Sequence, residues 1–522
     1  MISNGQRMGR IRYFLPSFAQ MFFLVVFVGI YNGGADSILK DGDTGYHIRA
    51  GEIILREMSV PRNDPFSFIS PTLPWTAHEW LSEVVMALAH KAAGLAGVVL
   101  LFTLLLSATY WLLFRAVRIF RRYILMDLLV LILVVLASQI HWLARPHVFS
   151  LFLTVLLYHV LILHQEDRGN YLYVIPFMML LWVNLHGGFI AGFLFIAIFL
   201  AGYSVRVFAS GTADGSSSAK KGKQLLLVCG VSVLAACVNP YGVHAFLFPF
   251  RLVSETYLMD HVQEFLSPNF HGYSPFRYLL LFLIGILGFS RASLSVTESI
   301  LVLLFTSMSL YSARYIPLCA IVYAPILSKH GSILVGESKG KILRWLRAKS
   351  EVYATIDAGA KGHAIFIAAM AVFMALSATG KIHARFHEKK APLAAIDFLR
   401  KNPIRGNMFN NDEIGDYVIY WLYPRHKVFV DGRSDMYGPP ILKEYSKVAG
   451  IEPGWKDVLD KYNINYIFFY TDSVLVRHLL TDSGWRGIYS DNVASIFLRN
   501  IPENAETIAR YAPGRTVPGK GR

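Results

Sequence analysis

Charge is scarce in this sequence: 16% of its 522 residues are Asp, Glu, Lys or Arg, against 54% hydrophobic, and the mean hydropathy is +0.43. Soluble domains carry about a quarter charged residues, so the composition implies an integral membrane protein. Cysteine is scarcer still. Cys229, Cys237 and Cys319 all fall in apolar stretches, which leaves no disulfide framework for an exposed domain and makes them small core hydrophobes. No GxGxxG or P-loop follows any strand expected near the C-terminus, so a nucleotide-binding role has no support. The net charge of +15 does not imply a nucleic-acid partner, because Lys and Arg cluster in a few loops between apolar blocks, where topology explains them. Ionisable residues inside those blocks are few, Asp127 and Glu298 foremost. That weighs against a lipid or polysaccharide transporter, which needs polar groups at mid-membrane.

The apolar residues come in blocks of about 15 to 22 separated by short polar loops, a helical-bundle pattern rather than that of an outer-membrane barrel. After Arg7, Arg10 and Arg12, an apolar run to Tyr31 without a small-residue cleavage site reads as an uncleaved first helix. Further crossings are expected at 94–114, 123–141, 147–164, 171–184, 188–206, 224–238, 276–290, 295–311, 313–328 and 363–379, about eleven in all. Basic clusters at 115–122, 206–223 and 339–349 agree with one orientation. They place the N-terminus in the cytoplasm and the 33–80 loop outside. Residues 207–223 read as a flexible Gly/Ser linker, and KILRWLRAK within 329–362 as an amphipathic stretch on the inner leaflet.

From about residue 380 the patterning becomes that of a soluble domain, and an odd number of crossings puts it outside. Here APLAAIDFLRK, DEIGDYVIYWLY and GWKDVLDKY read as helices. NMFN, KVFVD and NYIFFY read as strands, RGIYS with VASIFLR as a hairpin, and the tail from Glu503 as disordered. The expected fold is an α-helical polytopic membrane bundle, residues 1–379, with an external α/β domain, residues 380–502.

This topology sends the unusual polar clusters to one face: DGDTGYH (41–47), WTAHEW (75–80), ARPH (144–147), NLHGG (184–188), NPYG (239–242) and SARY (312–315). Asp41 and Asp43 form a DxD spacing, in which two carboxylates share a divalent cation such as Mg or Mn, or one acts as base while the other orients a partner. A solvated loop or helix N-cap is the plainer alternative, and His47, His78 and Glu79 weigh toward function. His78-Glu79 is not a zinc-protease signature, since Ser82 stands where a second His would. Arg145 and Arg314 suit an anionic phosphate held by a guanidinium fork, or snorkelling at the interface; His147, Asn184 and His186 accompany them as candidate binding residues. NPYG reads as a turn. In VFVDGRSDMYG, Asp431 and Arg433 end a buried segment, where either a ligand or a structural ion pair accounts for them.

Taken together, DGDTGYHIRAGE, HEWL, ARPH, WVNLHGG, NPYG and DYVIYWLYPRHKVFVDGRSDMYG resemble a bacterial set of membrane proteins with the layout of the GT-C superfamily. That superfamily comprises polyprenyl-phosphate-sugar-dependent glycosyltransferases, among them protein O-mannosyltransferases, aminoarabinose transferases and oligosaccharyltransferase catalytic subunits. The resemblance covers the whole chain as a layout, and Asp41 to Glu79 as a functional motif. It implies an inner-membrane enzyme with a periplasmic C-terminal domain, and an aspartate of the first external loop, Asp43 or Asp41, as base or metal ligand. It further implies a polyprenyl-phosphate sugar donor, attack by an acceptor hydroxyl or amide with inversion, and Arg145 or Arg314 offsetting charge on the departing phosphate. The later motifs match no named transferase, so donor sugar and acceptor stay open.

Overall fold

The computed structural model describes residues 14–32, 38–69, 73–120, 123–209, 213–360, 362–378 and 384–511. The basic flank at Arg7, Arg10 and Arg12, the pair Arg121 and Arg122, and the tail from 512 lie outside the described residues. The chain divides into two compact units, 1–33 with 100–142 and 146–383, and 34–99 with 143–145 and 384–522.

Among its described residues the first unit forms helices and no strand. A helix underlies each of the eleven expected crossings, and apolar blocks of this length form helices because only a helix pairs its own backbone away from water. Among the described residues five helices are long and apolar enough to cross a membrane: Trp80–Phe120, Ile124–His141, His147–Gln165, Phe189–Ala209 and Ala313–Glu337. Phe18–Tyr31, Leu172–Leu185, Pro275–Phe289, Val296–Tyr311 and His363–Val372 are shorter apolar helices. The expected linker differs in part, since Ala213–Ala236 is one helix. Elongation from an apolar segment costs little once a helix has nucleated, and Lys221 Nζ ties this one to Gln165 O at 2.8 Å and Asp167 at 2.7 Å. The two ionisable residues noted among the apolar blocks are both paired. Asp127 meets Arg118 at 2.9 Å, and Glu298 meets Lys329 at 2.8 Å.

In the second unit a four-stranded sheet of order β1-β2-β4-β3 separates two apolar layers. β1 (Asn407–Asn410) runs parallel to β2 (Ile464–Tyr470); β4 (Ala494–Arg499) is antiparallel to both β2 and β3 (Trp485–Ser490). Successive side chains alternate between faces. Met408, Tyr466, Phe468, Ile496 and Leu498 therefore join one core, and Phe409, Ile467, Phe469 and Phe497 the other. The first core also takes Tyr46, Ala50, Ile53, Phe66, Trp75 and Ala77 from the 38–80 region, beside Ile414, Val418 and Leu422 of the helix Asp412–Leu422.

Three expectations change here. KVFVD is buried but is no strand of the sheet: Phe429 N donates to Asn410 Oδ1 at 2.8 Å, Asn410 Nδ2 donates to Val430 O at 2.7 Å, and Val428 pairs with Phe66 and Ser67. A side-chain amide and the first loop satisfy backbone groups that a sheet ladder would otherwise pair. The helix Ser434–Ala449, bent at Gly438 where φ is +65°, gave no periodic signal because Pro439 and Pro440 interrupt it. Finally, the expected disordered tail begins with the helix Ala505–Tyr511, whose Tyr511 packs on Phe398 and hydrogen-bonds Asn402.

Candidate active site

The polar segment from Asp43 to Glu57, expected as part of the 33–80 loop, folds as a helix. Ile48, Ala50, Ile53 and Ile54 are buried, Asp43 sits in the first turn where the helix dipole favours a carboxylate, and Met58 closes the helix at φ +51°. Asp41 lies just before it and accepts from Asp43 N at 2.9 Å.

Arg145 reaches both carboxylates, contacting Asp41 Oδ2 through Nη2 and Asp43 Oδ2 through Nη1 at 3.0 Å. The side chains of Asp41, Asp43 and Arg145 are 14%, 16% and 17% exposed. The backbone of 143–145 is stitched to the loop, for Ala144 N donates to Ile38 O at 2.9 Å and Thr44 Oγ1 donates to Ala144 O at 3.1 Å. ARPH and DGDTG, about a hundred residues apart in sequence, thus form one site.

Glycines explain how a third carboxyl joins. A Cβ at Gly42 would lie 2.8 Å from Glu413 O, and one at Gly45 would lie 2.8 Å from Tyr420 Cβ and 2.9 Å from Asp416 O. The two helices can therefore touch only where side chains are missing. A Cβ at Gly432 would meet Asp43 Oδ1 at 2.3 Å and Asp416 Oδ2 at 3.1 Å. Asp416 is fully buried and accepts from Gly432 N at 3.0 Å through Oδ1. Burial, and then the charge of Asp431, push its carboxyl well above the usual range.

His47, 2% exposed, lies between two glutamates, its Nδ1 3.2 Å from Glu83 Oε1 and its Nε2 3.7 Å from Glu79 Oε2. His78 Nε2 is 3.7 Å from Glu79 Oε1, which extends the chain of titratable groups toward solvent. Asp431 and Arg433 are 1% and 2% exposed and form a buried network. Arg433 bonds Asp431 at 2.6 Å and Asp64 at 2.7 Å, and Tyr437 Oη donates to Asp431 at 2.6 Å. Around the guanidinium stand Trp75, Phe66 and Tyr46, at 4.7, 4.9 and 5.9 Å from ring centroids. Burial pushes the Asp64 carboxyl up, but the Arg433 charge and the hydrogen bonds from Ser67 and Phe66 outweigh it and hold it below the usual range.

The other expected residues belong to the helical unit. His147 Nε2 meets His141 O at 2.8 Å; Asn184 Nδ2 donates to Leu180 O and Val238 O, both at 2.9 Å. His186 Nδ1 accepts from Gly188 N at 2.9 Å and lies 2.7 Å from Ser150 Oγ. Arg314 pairs with Glu264 at 3.7 Å over the ring of Phe265.

Among the described residues no group of three or more His, Cys, Asp or Glu side chains is arranged to hold a metal, and a guanidinium already spans the two carboxylates. Sequence reasoning missed Asp64, Glu83 and Asp416. The signals were a carboxylate four residues after Glu79, in the first turn of the helix that begins at Trp80, for Glu83, and a lone Asp inside the apolar run IGDYVIY, for Asp416.

Neither a protein-family model nor a curated protein matches the chain. Among solved structures it is similar to ArnT from Cupriavidus metallidurans bound to undecaprenyl phosphate, with TM-score 0.48 and 12% identity, over 91% of this chain and 97% of that one. The apo state of ArnT gives 0.49 and 12% over the same shares. The arabinofuranosyltransferase AftD from Mycobacteria gives 0.46 and 12%, over 94% of this chain and 41% of that one.

Proposed function

We propose that this chain is a multi-pass glycosyltransferase of the bacterial inner membrane that moves a sugar from a polyprenyl-phosphate donor to an envelope acceptor on the outer face. Asp43 is the base. The observation that carries the reading is the Asp43 carboxylate itself: it is held at a helix N-terminus by Arg145 and still 16% exposed. A fixed carboxylate with partial access is what proton abstraction from an incoming hydroxyl or amide requires. The acceptor oxygen or nitrogen bonds to the anomeric carbon, the bond from that carbon to the phosphate oxygen breaks, and polyprenyl phosphate departs with the electron pair. The acceptor proton passes to Asp43, and a single displacement inverts the anomeric centre.

Arg145 orients the acidic pair in this scheme. Arg314, with His147, Asn184 and His186, is left as the candidate set for the donor phosphate and sugar, while Asp431 and Arg433 brace the loop. His47 and Glu79 are candidates to carry the proton onward, toward His78. No step is routed through Mg or Mn. The shared core of the 46–77 and 395–498 residues supports placing the first loop and the C-terminal domain on one side of the membrane.

The test is release of polyprenyl phosphate by the full-length protein in liposomes supplied with polyprenyl-phosphate sugars and an envelope extract. Asp43→Asn keeps the shape but not the basicity and should lower kcat by about 10²-fold or more. A chelator should leave the wild-type rate unchanged. Activity of both Asp43→Asn and Asp41→Asn within a few-fold of wild type removes the acidic loop from the mechanism.

A further inference from the structure

The helix Lys341–Gly359 ties together the ends of three others. Helix ends carry backbone groups without intrahelical partners, and side chains of this helix meet three such ends in turn. Arg347 Nη2 donates at 3.0 Å to the carbonyl of Ser338, the residue that ends Ile316–Glu337. Ser350 Oγ, in a residue only 1% exposed, accepts at 3.3 Å from Leu125 N in the first turn of Ile124–Ser138. Asp357 Oδ1 accepts at 2.7 Å from Phe18 N, where Phe18–Asn32 begins, and Tyr353 stands edge-on to the Phe18 ring. A rod of about 28 Å that meets three helix ends along its length lies across the end of the bundle and does not run through it.

Its other face is open. Ile342, Trp345, Val352 and Ile356 are 78%, 59%, 55% and 46% exposed, and steps of three, four and seven residues set them in one stripe. Residues 338–350 add Lys339, Lys341, Arg344, Arg347 and Lys349 with no Asp or Glu among them; of these cations all but Arg347 are exposed. Lys349 falls within the stripe, where its stem can follow apolar surface while the ammonium reaches outward.

We infer that this face is a binding surface for anionic phospholipid: the stripe lies in the acyl boundary of the leaflet at that end of the bundle, the cytoplasmic one under the proposed orientation, and the cations meet headgroup phosphates. Charge selects the occupant. A second copy of this chain would bring the same cations against them, and a zwitterionic leaflet offers them no net attraction, whereas an anionic one rewards each. The inference goes beyond the glycosyltransferase reading and stands without it. Because the same helix closes the ends of three others, lipid held on its outer face should stabilise the folded bundle.

The test uses full-length protein in nanodiscs of phosphatidylcholine alone or of an equal mixture with phosphatidylglycerol. Tm should be higher in the mixture by about 2 °C or more. The rise should vanish when Lys341→Gln, Arg344→Gln and Lys349→Gln are combined, and Tm in phosphatidylcholine alone should stay at the wild-type value because all three side chains are exposed. Equal wild-type Tm in the two lipids overturns the proposal, and so does an undiminished rise in the triple variant. A second measurement reads the face directly. With the native cysteines replaced, a nitroxide attached through Ile342→Cys should be relaxed more by oxygen, which concentrates among acyl chains, than by a water-soluble nickel chelate. The reverse order puts the stripe in water, and protection from both puts it under protein, a second copy or another partner; either result overturns the lipid surface.

Discussion

Arg433 shows how one side chain commits a region to a shape. Its guanidinium is buried against three aromatic rings and answered by Asp431 and Asp64, and removing one partner of such a set leaves an uncompensated buried charge at about 3 kcal/mol or more. The pH dependence follows from the direction of each shift. Asp64 is held below its usual range, so its contribution is present above about pH 4 and is lost as pH falls through the lowered value. Asp416 is raised, so its contribution is present in acid and lost as pH rises through the raised value. Thermal unfolding of the full-length protein in detergent should therefore show an acid limb below about pH 4. Asp64→Asn should lower Tm at pH 7 and abolish that limb; an acid limb unchanged in Asp64→Asn assigns it to other carboxylates. Arg433 and Asp431 could be singled out in the sequence by their position after a buried run. Asp64 could not, because pairing across more than 360 residues leaves no local trace.

Glycine spacing decides the contact between the helices Asp43–Glu57 and Asp412–Leu422. Gly45 faces Tyr420 Cβ and Asp416 O with no room for a methyl group, so Gly45→Val must spread the helices. Overpacking of this kind costs about 2 kcal/mol. Here it should also separate Asp43 from Asp416, so transfer should fall more steeply than Tm; a variant that keeps wild-type turnover shows that the close approach is dispensable. At this scale the C-terminal strands and three of its helices were readable, since period-2 and period-3.6 patterns are local and turn residues bound them. Asp43–Glu57 was not, because DGDTGYHIRAGE reads as polar loop until its buried partners are known. KVFVD misled in the opposite direction: its burial is real, but its hydrogen-bond partners are the Asn410 side chain and the first loop rather than a neighbouring strand.

Over the whole molecule, residues that share one dry core must lie on one side of a membrane, which ties Tyr46, Phe66 and Trp75 to the compartment of Ile396, Tyr466 and Leu498. With the native cysteines replaced, cysteines introduced at the exposed positions Asn63 and Ser483 should react with an impermeant reagent from the same side, and one at exposed Lys341 from the other. Labelling of Asn63 and Ser483 from opposite faces contradicts the common core. Reaction of both only after the inner membrane is permeabilised reverses the proposed orientation. The layout of the chain was visible in sequence because apolar blocks and basic loops are properties of composition. The meeting of DGDTG, ARPH and IGD was not, because it depends on long-range folding.

That meeting also has a bearing on time. Asp43 and Arg145 emerge early from the ribosome, whereas Asp416 and Gly432, which pack beside Asp43, belong to the last domain made. The packing partners that the C-terminal domain supplies to the acidic loop are therefore not yet made when the membrane helices emerge. Under the proposed orientation the final domain has to cross the bilayer before it can enclose the acidic loop, so export of the C-terminal segment, rather than insertion of the bundle, would set the moment at which the proposed site is complete.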